Sequence, residues 1–212
     1  MELDLTLYLV TDSTNLQESI FLNKIEKACK GGVTIVQLRE KEKSGKDYFN
    51  LALKVKAITD VYRIPLIIDD RVDIAMAVDA AGVHLGASDL PIDVARKLMG
   101  KEKIIGATAK TVSQAQKAVK EGADYLGVGA IYPTTTKVAT VITEVSTLNE
   151  IAKAVSCPVI AIGGLNETNC EILKDSPIAG IAVVSAIMKE DNPQGAARGL
   201  KEKMLGYIYP FR

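Results

Sequence analysis

Short apolar segments rich in β-branched residues alternate with helix-like segments along the whole of this 212-residue chain. The alternation predicts an α/β fold, a single (β/α)8 barrel or TIM barrel. The apolar segments are hydrophobic at consecutive positions, as expected of parallel strands that are buried on both faces. A chain of this length lies near the lower end of the range for the fold, which leaves little room for a second domain.

Eight segments are predicted as strands, because each is short and mostly apolar and ends in polar residues or glycine. In chain order they cover 5–12, 33–40, 65–70, 82–86, 103–108, 124–129, 158–164 and 180–185. Between them, alanine, leucine and lysine recur at helical intervals in segments such as 45–62, 93–100, 111–122 and 146–155.

An open, doubly wound sheet is the alternative architecture for such an alternation. It is disfavoured because no G-x-G-x-x-G motif opens a helix after the first strand. We therefore expect one domain over 1–212, with the barrel at about 7–205 and an aromatic tail at 206–212.

The balance of charges limits the classes of partner. Basic and acidic residues number 26 each, so no net field draws the chain to nucleic acid or to an anionic membrane. The N-terminus lacks the basic flank of a signal peptide, and the apolar runs are shorter than a membrane span. Cys29, Cys157 and Cys170 show no paired spacing, which predicts free thiols and a cytoplasmic protein.

The carboxyl ends of the predicted strands hold most of the unusual polar residues. In a barrel of this kind the functional groups gather at that rim. Reading each segment to its end collects Thr11–Asp12, Gln37–Lys41, Asp69–Asp70, Gly86–Asp89, Thr108, Gly129–Lys137, Gly163–Gly164 and Val184–Ser185.

The second strand ends in a row of polar and basic residues. Its period of two sends Gln37, Arg39 and Lys41 to one face. A guanidinium fork beside a mobile ammonium suits a strongly anionic group such as a phosphate. The alternative interpretation is a solvated charge cluster that pairs with neighbouring glutamates.

Carboxylates follow the third and fourth strands. Asp70 and Asp89 would converge at the barrel mouth and repel each other unless a cation intervenes, and oxygen ligands that leave room for water and phosphate favour Mg²⁺. The alternative is a helix cap with an ion pair to Arg71.

The sequence IYPTTTK, residues 131–137, lies in the widest gap between predicted strands. Long loops in compact barrels are usually functional. Threonine hydroxyls and backbone amides can hold an oxyanion without adding charge, while Lys137 can neutralise a leaving phosphate. The alternative is a Pro-Thr turn that faces solvent.

Glycine amides follow the seventh strand and a serine follows the eighth, each placed by the sequence next to the start of the following helix. These two loops often make a phosphate site in (β/α)8 barrels. The sequence thus predicts two anion sites, one basic and one neutral. His84, the only histidine, falls inside a buried strand and is predicted to be a structural imidazole within the barrel.

Taken in order, the motifs YLVTD, VQLREK, DDRVDIA, GVHLG, GADYLGVGAIYPTTTK, PVIAIGG and GIAVVSAI resemble those of the thiamin phosphate synthase family, from about Leu7 to Met204. The resemblance implies an Mg²⁺-assisted transferase that joins hydroxymethylpyrimidine diphosphate to a thiazole phosphate and releases diphosphate. It implies Asp70 and Asp89 as magnesium ligands, and Arg39, Thr108 and Lys137 as catalytic residues. The substrate-binding residues that it implies are Gln37, Leu38, Arg39, Glu40, Lys41, Asp69, Thr108, Thr134, Thr135, Thr136, Lys137, Gly164, Val184 and Ser185.

Several positions depart from the family pattern. Asp69 stands where asparagine is customary and adds negative charge where an anion should bind. Ala87 and Ser88 replace polar residues before Asp89, and Thr108 replaces serine. The apolar segment 138–145 is predicted to be a mobile lid or a subunit contact.

Two further functions stay open from the sequence. One is a thiazole tautomerase of the same barrel family, which would call for a proton-shuttling residue on the rim. The other is a barrel that only binds a phosphorylated metabolite. The expected partners are small molecules in each case, with a homo-oligomer possible.

Overall fold

The structure, a computed structural model, describes residues 3–134 and 141–208. Its strands form a closed, entirely parallel barrel in sequence order, with β1 paired to β8. The predicted fold class is therefore confirmed.

The described residues contain eight short strands and eight helices, with one 3₁₀ turn at Cys170–Leu173 between β7 and β8. The strands are β1 Leu7–Val10, β2 Ile35–Leu38, β3 Leu66–Asp69, β4 Gly82–Leu85, β5 Ile104–Ala109, β6 Tyr125–Gly129, β7 Val159–Ile162 and β8 Gly180–Val183. The helices are α1 Glu18–Gly31, α2 Gly45–Val61, α3 Val72–Ala77, α4 Ile92–Met99, α5 Val112–Glu121, α6 Val145–Ala154, α7 Ser185–Met188 and α8 Pro193–Tyr207.

Local signals in the sequence set several helix ends. The Ser44 hydroxyl accepts a hydrogen bond from an amide in the first turn of α2, and the Thr111 hydroxyl does the same for α5. Gly122 ends α5 in the left-handed conformation, at φ 106°, which a side chain would strain. These caps fix where each helix begins and ends, and so hold the loops at both ends of the barrel.

Two buried layers surround the strands. The larger lies between strands and helices, and the smaller fills the barrel with Leu5, Tyr8, Val10, Ile35, Ile67, Tyr125, Ile160 and Ala182. Because strand side chains alternate between faces, the inward positions continue toward the carboxyl ends as Gln37, Asp69, His84 and Thr108. The barrel interior therefore becomes polar at the rim.

Some predictions concern the ends of the chain and its surroundings. The last helix, α8, extends to Tyr207, into the predicted aromatic tail, whose residues 209–212 lie outside the described part. The three cysteines are free thiols. Among the described residues, no helix combines the length and apolarity that crossing a membrane requires.

Candidate active site

The basic residues after β2 pair with a carboxylate at the end of β3. The Arg39 Nε atom lies 3.7 Å from Asp69 Oδ2, and Lys41 Nζ lies 3.2 Å from the same oxygen. Lys41 also contacts the Asp70 carboxylate. The predicted basic row is present, but aspartates that follow the neighbouring strand neutralise it. The sequence predicted a positive flank or a cluster paired with glutamates.

Asp69 carries its charge at a cost. Its side chain is 10% exposed, and burial, reinforced by the neighbouring Asp70, raises its pKa from 3.8 to about 6 in spite of Lys41 and Arg39. Burial alone would lower the pKa of Lys41, but its contacts with Asp70 and Asp69 raise it. The surroundings of Asp69 therefore disfavour its ionised form, even with Lys41 and Arg39 beside it.

Asp69→Asn is therefore expected to stabilise the fold at neutral pH in metal-free buffer. A pKa raised in the folded state gives stability that is complete below the unfolded value of 3.8 and is lost as pH rises through about 6. The variant should match the parent near pH 4 and exceed it by about 1–3 kcal/mol at pH 7.5. Urea unfolding at both pH values measures the difference.

Asp73→Asn is the matched control, since its contact with Arg71 lowers the pKa of Asp73 and no gain is expected. A loss of stability in Asp69→Asn at pH 7.5 would show that its ion pairs outweigh its burial.

Asp70 and Asp89 meet at the mouth, as the sequence predicted. Burial raises the pKa of Asp89, and the adjacent Asp70 carboxyl group raises it further. Asp89 Oδ2 also accepts a hydrogen bond of 2.6 Å from the amide of Gly86, which fixes its direction. Asp70 adopts a left-handed backbone, at φ 61°, a conformation that is uncommon for a residue with a side chain and is often found at functional sites.

This pair of carboxylates fits a magnesium ion that keeps most of its ligands from water and substrate. Within residues 3–134 and 141–208, no three His, Cys, Asp or Glu side chains are grouped for metal binding. Mg²⁺ is commonly held by one or two carboxylates together with phosphate oxygens. The alternative partner of Asp70, Arg71, instead binds Asp73 at 2.5 Å.

Gln37 and Thr108 line one cavity of about 40 Å³ inside the mouth. Gln37 is 4% exposed and donates from Nε2 to the hydroxyl of Tyr8 at 2.9 Å. Thr108 Oγ1 lies 3.0 Å from His84 Nε2. His84 is therefore part of the barrel interior, as predicted, and joins the cavity wall.

Two other predicted site residues, at and just after the end of β2, have distinct surroundings. Leu38 is fully buried in the outer core, and its carbonyl accepts from Tyr48, so its side chain does not face the mouth. Glu40 Oε2 accepts a hydrogen bond of 2.8 Å from the Ser13 hydroxyl. Its other carboxylate oxygen, Oε1, is buried and has no hydrogen-bond partner among the described residues. Burial raises the pKa of Glu40.

The loops after β6 and β7 pack against each other. The amide of Tyr132 donates to the carbonyl of Gly163 at 3.0 Å. A Cβ atom at Gly164 would lie 2.6 Å from Tyr132 and 2.8 Å from the Pro133 carbonyl, so only glycine allows this approach. Gly163 and Gly164 both have positive φ. This packing sets the start of the threonine loop, at Tyr132 and Pro133, beside Gly164.

The expectation that both loops lead into helix N-termini is wrong for β7. Asn166 and Asn169 form a side-chain turn there, and the next element is only the 3₁₀ turn at 170–173. After β8, Val184 precedes α7 and Ser185 begins it, but α7 has four residues. Backbone amides and the Ser185 hydroxyl, without a long helix, are what this flank offers an anion.

Part of the predicted site lies outside the residues that the structure describes. Thr135, Thr136 and Lys137 lie outside the described residues, as does the beginning of the predicted lid at 138–145. Of that segment, Val141 is 69% exposed, whereas Thr143 is buried and its amide donates to the Ala130 carbonyl at 2.8 Å.

Sequence reasoning missed the two tyrosines inside the barrel. Tyr8 and Tyr125 donate or accept hydrogen bonds next to Gln37 and His84, yet they lie 117 residues apart. Both occupy inward positions of strands, where a phenol needs a polar partner. That pattern could have identified them.

Comparison with known proteins identifies the family of this chain. The family model described as thiamine monophosphate synthase matches residues 7–187. A thiamine-phosphate synthase of Enterococcus faecalis is 53% identical over 95% of this chain and 96% of its own length. One of Methanobrevibacter smithii is 52% identical over 93% and 94%. A solved thiamine phosphate pyrophosphorylase from Pyrococcus furiosus aligns with a TM-score of 0.85 and 36% identity, covering 96% of this chain and 98% of that one. The chain belongs to the thiamine monophosphate synthase family.

Proposed function

We propose that this protein joins hydroxymethylpyrimidine diphosphate to a thiazole phosphate, giving thiamin phosphate and diphosphate. The activity makes it a transferase of thiamine biosynthesis, in agreement with the names of its relatives. The carbon–oxygen bond between the pyrimidine methylene and the diphosphate breaks, and the electron pair leaves with the diphosphate. The thiazole nitrogen then attacks the methylene carbon.

The polar mouth supplies what the leaving group needs. Arg39 and Lys41 would bind diphosphate oxygens, exchanging Asp69 for the substrate as their partner. Magnesium held by Asp70 and Asp89 would neutralise charge on the departing diphosphate. Lys137 is proposed to act on the same leaving group.

The pyrimidine ring would occupy the cavity between Gln37 and Thr108. A dissociative reaction needs no strong general base, because ring electrons stabilise the methylene cation. The site must instead align the reactants and stabilise charge. The phosphate of the thiazole is proposed to bind Gly164, Val184, Ser185 and residues 134–136.

One observation carries the proposal. Two cations, a buried aspartate and a pair of carboxylates meet beside a cavity lined by an amide and a hydroxyl. A diphosphate attached to a small polar ring matches both parts. The free thiols favour the cytoplasm as the proposed location.

Mixing both phosphorylated substrates with Mg²⁺ and detecting thiamin phosphate by chromatography tests the function. A tautomerase forms no thiamin phosphate under these conditions, and a binding protein binds either substrate without turnover. Absence of product at several Mg²⁺ concentrations would refute the proposal.

Asp69→Asn is expected to bind inorganic diphosphate at least roughly tenfold more tightly, because a buried negative charge beside Arg39 and Lys41 repels the ligand and competes for both cations. Calorimetry in chelator keeps metal out of the comparison. Asp60→Asn, which removes an exposed surface carboxylate, is the control. Weaker binding by Asp69→Asn would show that Asp69 mainly orients the cations.

A further inference from the structure

A continuous chain of hydrogen bonds crosses the barrel from Gln37 to Thr108. Gln37 Nε2 lies 2.9 Å from the Tyr8 hydroxyl, which lies 2.7 Å from that of Tyr125. The Tyr125 hydroxyl lies 3.0 Å from His84 Nδ1, and His84 Nε2 lies 3.0 Å from Thr108 Oγ1. Tyr8, Tyr125 and His84, here called the relay, therefore connect two residues of the proposed pyrimidine cavity.

The relay is enclosed in the protein. Tyr8 and Tyr125 are 1% and 0% exposed, and burial raises the pKa of each phenol, so both stay neutral. A Cβ atom at Gly106 would lie 2.1 Å from the Tyr125 ring, so glycine there leaves the space that the ring occupies. Neutral, buried hydroxyls each have one proton to donate.

The single proton of each hydroxyl fixes the direction of the chain. Because the Gln37 amide donates to Tyr8, the Tyr8 proton is left for Tyr125. In that direction Tyr125 would donate to His84 Nδ1, at 3.0 Å, and a neutral imidazole would then carry its proton on Nε2, which lies 3.0 Å from Thr108 Oγ1. Thr108 would then accept from His84, and its own proton would be left for another acceptor.

Turning the Gln37 amide by 180° would reverse every bond of the relay. Gln37 would then present its NH₂ group to the cavity, and the Thr108 hydroxyl would donate its hydrogen bond to His84. The donor or acceptor role of Gln37 toward the cavity is therefore coupled to that of Thr108.

We propose that the relay sets the hydrogen-bonding directions of Gln37 and Thr108 together, so that the cavity offers one acceptor and one donor. The relay residues are positioning residues, since they act through Gln37 and Thr108. This inference rests on the proposed function, because the aminopyrimidine ring of thiamin carries an amino donor next to a ring-nitrogen acceptor. The Gln37 carbonyl and the Thr108 hydroxyl complement that edge.

The sole histidine makes the direction measurable without any assay of activity. In untagged protein labelled with ¹⁵N-histidine, one imidazole is observed, and couplings to its ring protons identify the protonated nitrogen. At pH 8 the proton is expected on Nε2, with Nδ1 as acceptor. Tyr125→Phe should change this signature, and Tyr62→Phe, which removes a phenol bonded to Glu26 on the surface, should not.

Kinetics test whether the relay matters for the reaction. Tyr125→Phe is expected to lower kcat/KM for the pyrimidine diphosphate by roughly 10- to 100-fold, the usual effect of leaving buried polar groups unpaired. The KM for the thiazole phosphate and the affinity for inorganic diphosphate should stay within about twofold of the parent, because both ligands are proposed to bind outside the cavity. Tyr62→Phe is again the control.

A double-mutant cycle separates positioning from a merely structural role. Thr108→Val should cost much less in the Tyr125→Phe background than in the parent, since the direction of Thr108 is already lost. Tyr8→Phe should behave like Tyr125→Phe. Urea unfolding of each variant shows which losses follow stability alone.

Three results would overturn the inference: a proton on Nδ1 in the parent, multiplicative effects of Tyr125→Phe and Thr108→Val, or a parallel loss of diphosphate affinity in Tyr125→Phe. If the parent makes no thiamin phosphate, the proposed function fails. The histidine signature then still decides whether the relay has the stated direction.

Discussion

Arg39→Ala is expected to lower kcat/KM for the pyrimidine diphosphate by roughly 10²- to 10³-fold, the usual effect of removing one preorganised group that stabilises developing charge. Arg39 lies 22% exposed at the mouth, with Asp69 as its ion-pair partner. In the transition state the diphosphate gains negative charge as the carbon–oxygen bond breaks. The guanidinium therefore binds the transition state more tightly than the ground state. Steady-state formation of thiamin phosphate measures the effect.

Arg39→Lys distinguishes charge from geometry. It should recover only part of the rate, because an ammonium lacks the planar fork of arginine. Arg198→Ala, in the exposed face of α8, is the matched control and should keep the parental rate. Lys137→Ala is expected to lower kcat/KM for the pyrimidine diphosphate as much as Arg39→Ala does. Parental turnover in Arg39→Ala would remove Arg39 from the site.

The fold could be predicted because its determinants are local. Each strand is a short apolar run, and several helices carry their own caps, such as Ser44 and Thr111. Eight repetitions of that pattern leave few ways to bury all the apolar faces. The closed parallel barrel follows from the number and order of these units.

The composition of the rim could be predicted, but its charge balance could not. The carboxyl ends of strands gather at one edge, so Arg39, Lys41, Asp70 and Asp89 were expected to be neighbours. Which cation pairs with which carboxylate depends on strand register and side-chain reach. Thus the sequence did not reveal that Lys41 contacts both Asp69 and Asp70.

The connection of the relay residues to one another was also beyond prediction from the sequence, although its last member, His84, was placed correctly. His84 was expected inside the barrel because it falls in a buried strand. Its partners come from other strands, and Tyr125 fits only because Gly106 on the neighbouring strand has no side chain. Such contacts between strands depend on three-dimensional register, which single-strand patterns do not encode.

Removal of divalent metal is expected to abolish turnover, with Mg²⁺ restoring it. Asp70 and Asp89 together make the pair whose mutual repulsion a cation would relieve. Asp89→Asn should raise the Mg²⁺ concentration for half-maximal activity by roughly 100-fold or more. Mutating a residue that only hydrogen-bonds to a metal ligand already lowers metal affinity or activity by about 10- to 100-fold, and loss of a ligand should cost at least as much. Saturating Mg²⁺ should recover part of the rate. Titration of activity with Mg²⁺ after treatment with chelator measures this shift.

The direction of the shift tests the assignment of the metal ligands against simple charge removal. If Asp89 only added negative charge to the mouth, Asp89→Asn would favour diphosphate binding and leave the Mg²⁺ requirement unchanged or lower. If Asp89 holds the ion, the requirement rises even though the site becomes less negative. Asp60→Asn, which breaks only an exposed pair with Lys56, should leave the titration where it is in the parent. An unchanged Mg²⁺ requirement in Asp89→Asn would therefore place the ion elsewhere.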